Sequence, residues 1–422
     1  MKKSLLVKKT EYKIKGIQLR NSKRRHKKIL TCHGEISFKR TILVPKDKQS
    51  ANKLYETYNT KEVIPLDEAL GIANLPFKMS VGLMLLCAYW AQNQQSYEAA
   101  EKVLLRNYRL KINDDTIRLV TNEIGRIVYE RDCQLTEEVI AKYNSCQLVF
   151  DHSRKGVLYI EVDGAALNTR QRNEQGSSWR ENKLGIIFSS DNIKFYRNKN
   201  TDKTYHRIEK REYVTLLGNA EEFKKHLFMC AIKNGYGKYQ NTVILSDGAV
   251  WIANIAKELF PDAYHILDFF HLSENVYSYA KELYPFDEDK YAKWAERICQ
   301  MLKVGKSKEV ISELKGLPKI YERKSSVDLL HYIETNIGRI EYPKYIEKGF
   351  FIGSGAIESG NKVVLQKRLK QAGMRWNPAT AQYLLTLKAK EESDLWHSEV
   401  VLLIMAHYAP QSLSNDNVNT NE

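Results

Sequence analysis

Three acidic residues carry the chemistry of this chain: Asp163 in VLYIEVDGA, Asp247 in TVILSDGAVWI and Glu358 in GSGAIESGNK. Each aspartate closes a short apolar, β-branched run and is followed by glycine. The glutamate opens a long basic segment with a helical pattern. A carboxylate placed where a buried strand gives out is held rigidly yet meets solvent, as a metal ligand must be. Two such strands and one helix can converge three carboxylates on a pair of Mg²⁺ ions, an arrangement suited to phosphoryl transfer on nucleic acids.

The electrostatics favour a cation. Three carboxylates within a few ångströms resist ionising together unless positive charge neutralises them. Mg²⁺ takes hard oxygen ligands and leaves positions for water and substrate phosphates. Two ions about 3.5–4 Å apart activate a water or 3′-hydroxyl and stabilise the leaving oxygen, with no protein nucleophile. On this reading Asp163 lies between two Mg²⁺ ions, for which Mn²⁺ could substitute, while Asp247 and Glu358 each hold mainly one. Taken singly, an Asp-Gly pair reads more simply as a turn with glycine at positive φ. Glu358 alone reads as an exposed helix residue. Their order at the boundaries of one α/β pattern favours the metal-binding reading.

The surroundings of Glu358 add to this. Between Gly353 and Trp376 stand Lys362, Lys367, Arg368, Lys370 and Arg375, and Glu358 is the single acid. A lone carboxylate among cations fits a metal ligand beside groups that hold a phosphate backbone. In HILDFFH, Asp268 and His271 fall on one face if the strand has passed into a helix. No Cys or His nearby completes a zinc site, so they read as auxiliary groups near the carboxylates or as a cap with a core histidine. Trp251 and Trp376 could stack on unpaired bases, although such tryptophans more often belong to the core.

The elements that must position these groups can be outlined from pattern. Residues 1–60 form a basic arm with 17 Lys/Arg against 4 Asp/Glu. It holds a candidate hairpin around Cys32–His33–Gly34 and a cluster of Lys23, Arg24, Arg25, Lys27 and Lys28 suited to phosphate contact. Residues 61–150 are helical. Ser96 and the run Asn113–Asp114–Asp115 supply cap candidates for two helices joined by RNYRLKI, and the pair resembles a helix-turn-helix with Arg118 and Asn122 on its second helix. Residues 151–284 read as strands first, then alternating helix and strand, the order of an RNase H-like domain. An all-helical insertion (285–345) precedes the helices that carry Glu358 (346–408). The polar stretch 409–422 reads as a disordered tail. The fold class is therefore α/β, with an N-terminal basic and helical DNA-binding region.

Composition bounds the alternatives. The chain of 422 residues carries a net charge of +15, concentrated in its first 60 residues, which points to a polyanionic partner. Its longest apolar stretch, Met79 to Ala91, falls short of the roughly 20 residues a bilayer demands, and MKKSLLVKKT lacks the apolar run of a signal peptide. The six cysteines contain no CxxC pair and read as free thiols in a reducing cytoplasm.

The combination of EVDG (Glu161–Gly164), SDGAVWI (Ser246–Ile252), D-x-x-H (Asp268–His271) and GSGAIESGNK running into RLKQAGMRW resembles bacterial insertion-sequence DDE transposases of the mutator-like branch, over roughly residues 150–390. The resemblance implies binding to the terminal inverted repeats of an insertion sequence, metal-dependent cleavage at its ends, and attack of the freed 3′-hydroxyls on target DNA. It implies Asp163, Asp247 and Glu358 as metal ligands, Asp268 and His271 as auxiliaries, and end recognition by the region before residue 150. Pairing two double-stranded DNA ends suggests a dimer on DNA. Relatives with paired-cysteine zinc motifs differ from this chain, which has only Cys32 in its N-terminal region, so zinc is not expected. Competing readings are a transposase-derived repressor without catalysis, an RNase H-like nuclease that never joins strands and, least favoured, an α/β enzyme acting on a small acidic metabolite.

Overall fold

The computed structural model describes residues 12–14, 16–173, 176–197, 204–317 and 328–409. All of the expected tail except Ala409 lies outside them. The chain divides into two compact units, 1–124 with 397–422 and 125–396. This division departs from the boundaries read off the sequence: it falls inside one helix of 31 residues, and it groups residues from 397 onward with the basic arm.

In the first unit, strands β1 (Tyr12–Ile14), β2 (Ile17–Thr31) and β3 (Gly34–Pro45) form an antiparallel sheet in sequence order. Thr31 pairs with Gly34, so the hairpin turns where Cys32–His33–Gly34 predicts. Helices α1 (Lys48–Tyr58), α2 (Pro65–Ala69), α3 (Val81–Asn93), α4 (Tyr97–Tyr108) and the start of α5 (Asp114–Asn144) follow. Ser96 caps α4 by accepting from Ala99 N (3.0 Å), and Asn113 accepts from Thr116 N (2.9 Å). Ile17, Leu19, Leu43, Leu54 and Val63 form a small core under the hairpin. Among the described residues, no helix is long and apolar enough to cross a membrane.

The second unit is built on β4 (Arg154–Asn168), β5 (Trp179–Ser189), β8 (Glu212–Leu217), β9 (Tyr239–Ser246) and β10 (Tyr264–Leu267), in the spatial order β10-β9-β4-β5-β8. β9 runs parallel to both β4 and β10, whereas β5 is antiparallel to β4 and β8. Between β5 and β8 lies a separate antiparallel pair, β6 (Ile193–Arg197) and β7 (Thr204–Ile208). Helices α6 (Ala220–Lys233), α7 (Val250–Leu259) and α8 (Phe269–Leu283) alternate with the later strands. The stretch read as a helical insertion contains α9 (Glu288–Lys303), α10 (Ser307–Gly316), α11 (Leu329–Thr335) and the start of α12 (Tyr342–Glu347). After it come α13 (Gly355–Gly360), a π-helical stretch Asn361–Gln366, α14 (Lys367–Leu369) and α15 (Pro378–Glu392). A last short helix, α16 (Leu402–His407), belongs to the first unit.

Alternation along β4 decides what each layer holds. Leu158, Ile160 and Val162 join one core cluster with Phe223, Leu227 and Phe228 of α6 and Ile252, Ile255 and Leu259 of α7. Burying a side chain of this kind contributes roughly 1.5–3 kcal/mol, enough for this layer to hold the sheet rigid. The intervening residues Tyr159, Glu161 and Asp163 face the other way. Each meets the segment 351–361 in step: Tyr159 Oη accepts from Phe351 N (3.4 Å), Glu161 Oε2 from Ile357 N (2.8 Å) and Asp163 Oδ2 from Asn361 Nδ2 (2.6 Å). This face of the central strand carries the candidate carboxylates Glu161 and Asp163.

Candidate active site

Parallel pairing of β4 with β9 ends at the rung Val162↔Ser246, and that of β9 with β10 at Ser246↔Leu267. The next residues are Asp163, Asp247 and Asp268. Three aspartates therefore stand one residue beyond the last rung of three neighbouring strands, at the carboxyl end of the parallel part of the sheet. Ligands of open α/β sheets gather at such ends. Asp163 is not at the end of its strand, as the sequence suggested. β4 continues to Asn168 because β5 keeps pairing with it after β9 has left. Neither Gly164 nor Gly248 has positive φ, so the Asp-Gly pairs are not tight turns. A Cβ at Gly248 would overlap the ring of Tyr332, and close approach explains the glycine there.

The three aspartates differ in what they hold. Asp163 accepts from Gly164 N (2.7 Å) and Asn361 Nδ2. Burial raises its pKa and the nearby charge of Asp247 adds to the rise, against the hydrogen bond from Gly164, the charge of His271 and the Asn361 amide. Among the described residues, the Asp247 carboxylate accepts only from Ala249 N (2.9 Å). Its carbonyl is fixed from below: Arg339 Nη2 donates to Asp247 O (2.9 Å) and to Ser246 Oγ (2.8 Å), and Ser246 Oγ lies 2.9 Å from His265 Nε2.

Asp268 is fully buried and saturated. It caps α8 by accepting from Phe270 N and His271 N, receives Ser354 N (3.0 Å) and Ser354 Oγ (2.7 Å), and lies 2.5 Å from His271 Nδ1. Burial pushes its carboxyl up, but the hydrogen bonds from His271, Ser354 and Phe270 outweigh that, and its pKa falls below the usual range. His271 in turn rises to about 9, through the Asp268 hydrogen bond first and then, against burial, the charges of Asp268, Asp163 and Asp247. It is an imidazolium at neutral pH, facing the two less committed aspartates.

Glu358 occupies a different corner. It lines a groove together with Glu161, and its charge helps raise that carboxyl. Asn361, three residues on, is the side chain of this segment that reaches Asp163. Among the described residues, no group of three His, Cys, Asp or Glu side chains is placed to hold a metal ion. Glu161, which enters the sequence reading only within a motif, is pushed up to about 8. Burial is the main cause, opposed by Ile357 N–H and reinforced by the charges of Asp268 and Glu358. Its carboxyl meets the N-terminal amides of α13 and so anchors the helix that bears Glu358.

Of the expected phosphate-binding cations, Lys362, Lys367, Lys370 and Arg375 are exposed. Arg368 is 2% exposed, with its guanidinium 5.1 Å from the centroid of the buried Trp376 ring, which withdraws it from a phosphate. Trp251 also packs against the core. In the first unit Lys23, Arg24, Arg25 and Lys28 are exposed on β2, where Lys28 pairs with Glu35 (2.7 Å). Lys27 points inward to Asp67 (2.9 Å), a carboxylate it shares with Arg40, and is likewise withdrawn. Arg118 pairs with Asp115 on its own helix (3.1 Å), and Asn122 is half-buried.

The site thus combines an α/β sheet with two adjacent aspartates at the ends of its parallel pairing. The chain belongs to the Uncharacterised protein family (UPF0236), whose model matches residues 11–400. No curated protein matches its sequence. Among solved structures it is similar to the Drosophila P element transposase strand transfer complex, with 10% identity and a TM-score of 0.25 over 83% of this chain and 87% of that one. A likeness at that level carries no argument, and the functional reading rests on the residues.

Proposed function

We propose that this chain is a DDE-type DNA transposase whose second unit is an RNase H-like catalytic core. The observation that carries the proposal is the placement of Asp163 and Asp247 side by side, one residue past the last rung of adjacent parallel strands. The sheet order β8-β5-β4-β9-β10, with β5 antiparallel to β4, supports the RNase H-like reading.

The donor chemistry fits a hard divalent cation. Among the described residues, Asn361 Oδ1 is buried without a hydrogen-bond partner while its amide holds Asp163. Asp163, Asp247 and Asn361 therefore present an all-oxygen set of the kind Mg²⁺ or Mn²⁺ accepts. Glu358, carried by α13, is the further candidate ligand. Bound there, the metal would activate water or a 3′-hydroxyl and neutralise charge on the leaving oxygen. The protein's own groups do the rest. Arg339 fixes the backbone that carries Asp247, and Asp268 orients His271 so that its positive charge faces the site. Lys362, Lys367, Lys370 and Arg375 hold phosphates, and the exposed cations of β2 add affinity for double-stranded DNA. Bringing two element ends together requires at least a dimer on DNA.

The test is strand cleavage and joining on linear DNA carrying the ends that flank this gene. Wild type is run beside Asp247→Ala, with Mg²⁺, with Mn²⁺ and with EDTA. Metal-dependent nicking at those ends, lost in the variant, is the expected result; neither binding nor nicking would overturn the proposal. One observation favours a second reading, a DNA-binding repressor derived from such an enzyme: Glu358 stands with Glu161 rather than in a triad. Tight binding with no nicking at any metal concentration would select it.

A further inference from the structure

Beside the aspartates, the structure opens a groove of about 780 Å³ between the β6–β7 pair and the segment Phe351–Ser359. Its floor is the Glu161 face of the sheet. Its walls bring Phe270, Phe351 and His206 together with Arg207 and Arg211. The rings form a ladder. Phe188 stacks on Tyr159 (5.2 Å, 17°), Tyr159 lies 5.1 Å from Phe351, and Phe351 stacks on His206 (4.9 Å, 21°). Beyond His206 stands Phe195, 67% exposed, and across the groove Phe270 is 50% exposed. Large apolar rings left open beside arginines are poorly explained by folding alone, since exposed rings gain nothing from burial.

We infer that this groove is a binding site for an unpaired nucleotide of a DNA strand, with its base against the Phe351–His206 end of the ladder and Phe270, and its phosphate held by Arg207 and Arg211. The inference rests on the reading of the chain as a DNA-processing protein and deepens it. Two features select a nucleotide over another occupant. Parallel rings spaced about 5 Å apart accept a further planar ring, and base–aromatic stacking tolerates any base. Arginine forks match phosphate oxygens. The volume lies within the range of pockets that enclose one small ligand. Glu358 shares the rim, so a nucleotide seated here would lie beside that carboxylate.

Binding is measured in EDTA by fluorescence anisotropy with two probes: a blunt 20-base-pair duplex, and the same duplex with a four-thymidine overhang. A third probe carries 2-aminopurine in the overhang to report stacking by quenching. Wild type is expected to bind the overhang at least fivefold more tightly than the blunt duplex and to quench the 2-aminopurine. Phe270→Ala, on a half-exposed ring, should abolish both differences without changing blunt-duplex affinity. Phe351→Trp keeps a ring and should retain them, which keeps the test open if Phe351→Ala fails to fold. Equal affinity for the two probes would overturn the inference. So would parallel loss of both affinities in Phe270→Ala, or a self-association of the chain that Phe270→Ala removes, since a second copy would then be the occupant. Asp247→Ala should keep the preference for the overhang and the quenching, so failure of the catalytic reading and failure of the groove can be told apart.

Discussion

Asp247 and Asp268 stand at the same level of adjacent strands, each one residue past the same rung, yet their surroundings hold them in opposite ways. Asp268 accepts five hydrogen bonds from Phe270, His271 and Ser354 and lies fully out of solvent. Asp247 accepts one among the described residues, from Ala249. Residue type and register are the same; the number of donors around each carboxylate differs. A saturated carboxylate has no lone pairs to offer a cation and acts as a strut. A nearly bare one beside a like charge is held in wait for positive charge. The lesson is that a strand-end aspartate is assigned by its donors rather than by its position.

The sharpest way to break the comparison is substitution of each aspartate in turn. Asp247→Asn should lower strand cleavage at least a thousandfold while leaving the melting temperature within a few degrees of wild type, measured by gel assay and calorimetry. Asp268→Ala should do the reverse in its first effect. Removing the acceptor of a buried, charged network costs about 3–5 kcal/mol, to be read from denaturant midpoints, and any loss of cleavage should follow the loss of fold. If Asp247→Asn unfolds the protein, or Asp268→Ala leaves stability intact, the distinction fails.

Burial acts on a base in the same manner. His226 of α6 lies against Thr136 (Oγ1 to Nδ1, 3.1 Å), and burial lowers its pKa from 6.5 to about 4. Its folded pKa is depressed, so the unfolded chain binds the proton first. The associated stability is full above pH 6.5 and is lost as pH falls toward 4, by up to about 3 kcal/mol at 1.36 kcal/mol per unit. His226→Gln should flatten that part of the pH–stability curve in urea titrations; an unchanged slope would assign the acid sensitivity elsewhere.

The smallest effect belongs to the basic arm. Lys23→Ala or Arg24→Ala removes an exposed cation from β2 and should leave melting unchanged. Each should lower the salt slope of DNA binding by about one for every phosphate that the side chain neutralises. Lys27→Ala, which breaks the inward pair with Asp67, should instead lower stability first.

Much of this architecture is legible in the sequence, for physical reasons. VLYIEVDG and NTVILSD read as strands because they are buried on both faces and therefore mostly apolar, whereas DAYHILD lies at the sheet edge and buries mainly Ile266 and Leu267. Ser96 and the run Asn113–Asp115 read as cap candidates because short oxygen-bearing side chains reach amides that the helix leaves unpaired, and the structure assigns the second cap to Asn113. The β6–β7 pair is missed because IKFYR and TYHRI bury little, and a strand without a buried face has no hydrophobic period to find. Lys27 and Arg368 are misjudged because a cation's orientation is set by its neighbours in space, Asp67 for one and the Trp376 ring for the other. Glu161 left a usable signal: an acid two residues before Asp163 must share its face. Asn361 left almost none, since nothing in GSGAIESGNK says which polar side chain of the helix will reach the strand.

The clasp of Arg339 and Tyr332 on Asp247 and Gly248 gives the helical insertion a hold over time as well as space. A carboxylate whose backbone is pinned by residues of a peripheral subdomain keeps its pose only while that subdomain stays closed. Local opening of such elements precedes global unfolding. The amide of Gly248 should therefore exchange its hydrogen at the rate set by breathing of α11 and its neighbours, faster than the amides of β9 a few residues away. Any contact that quiets the insertion would lengthen the interval during which the strand-end aspartates are ready.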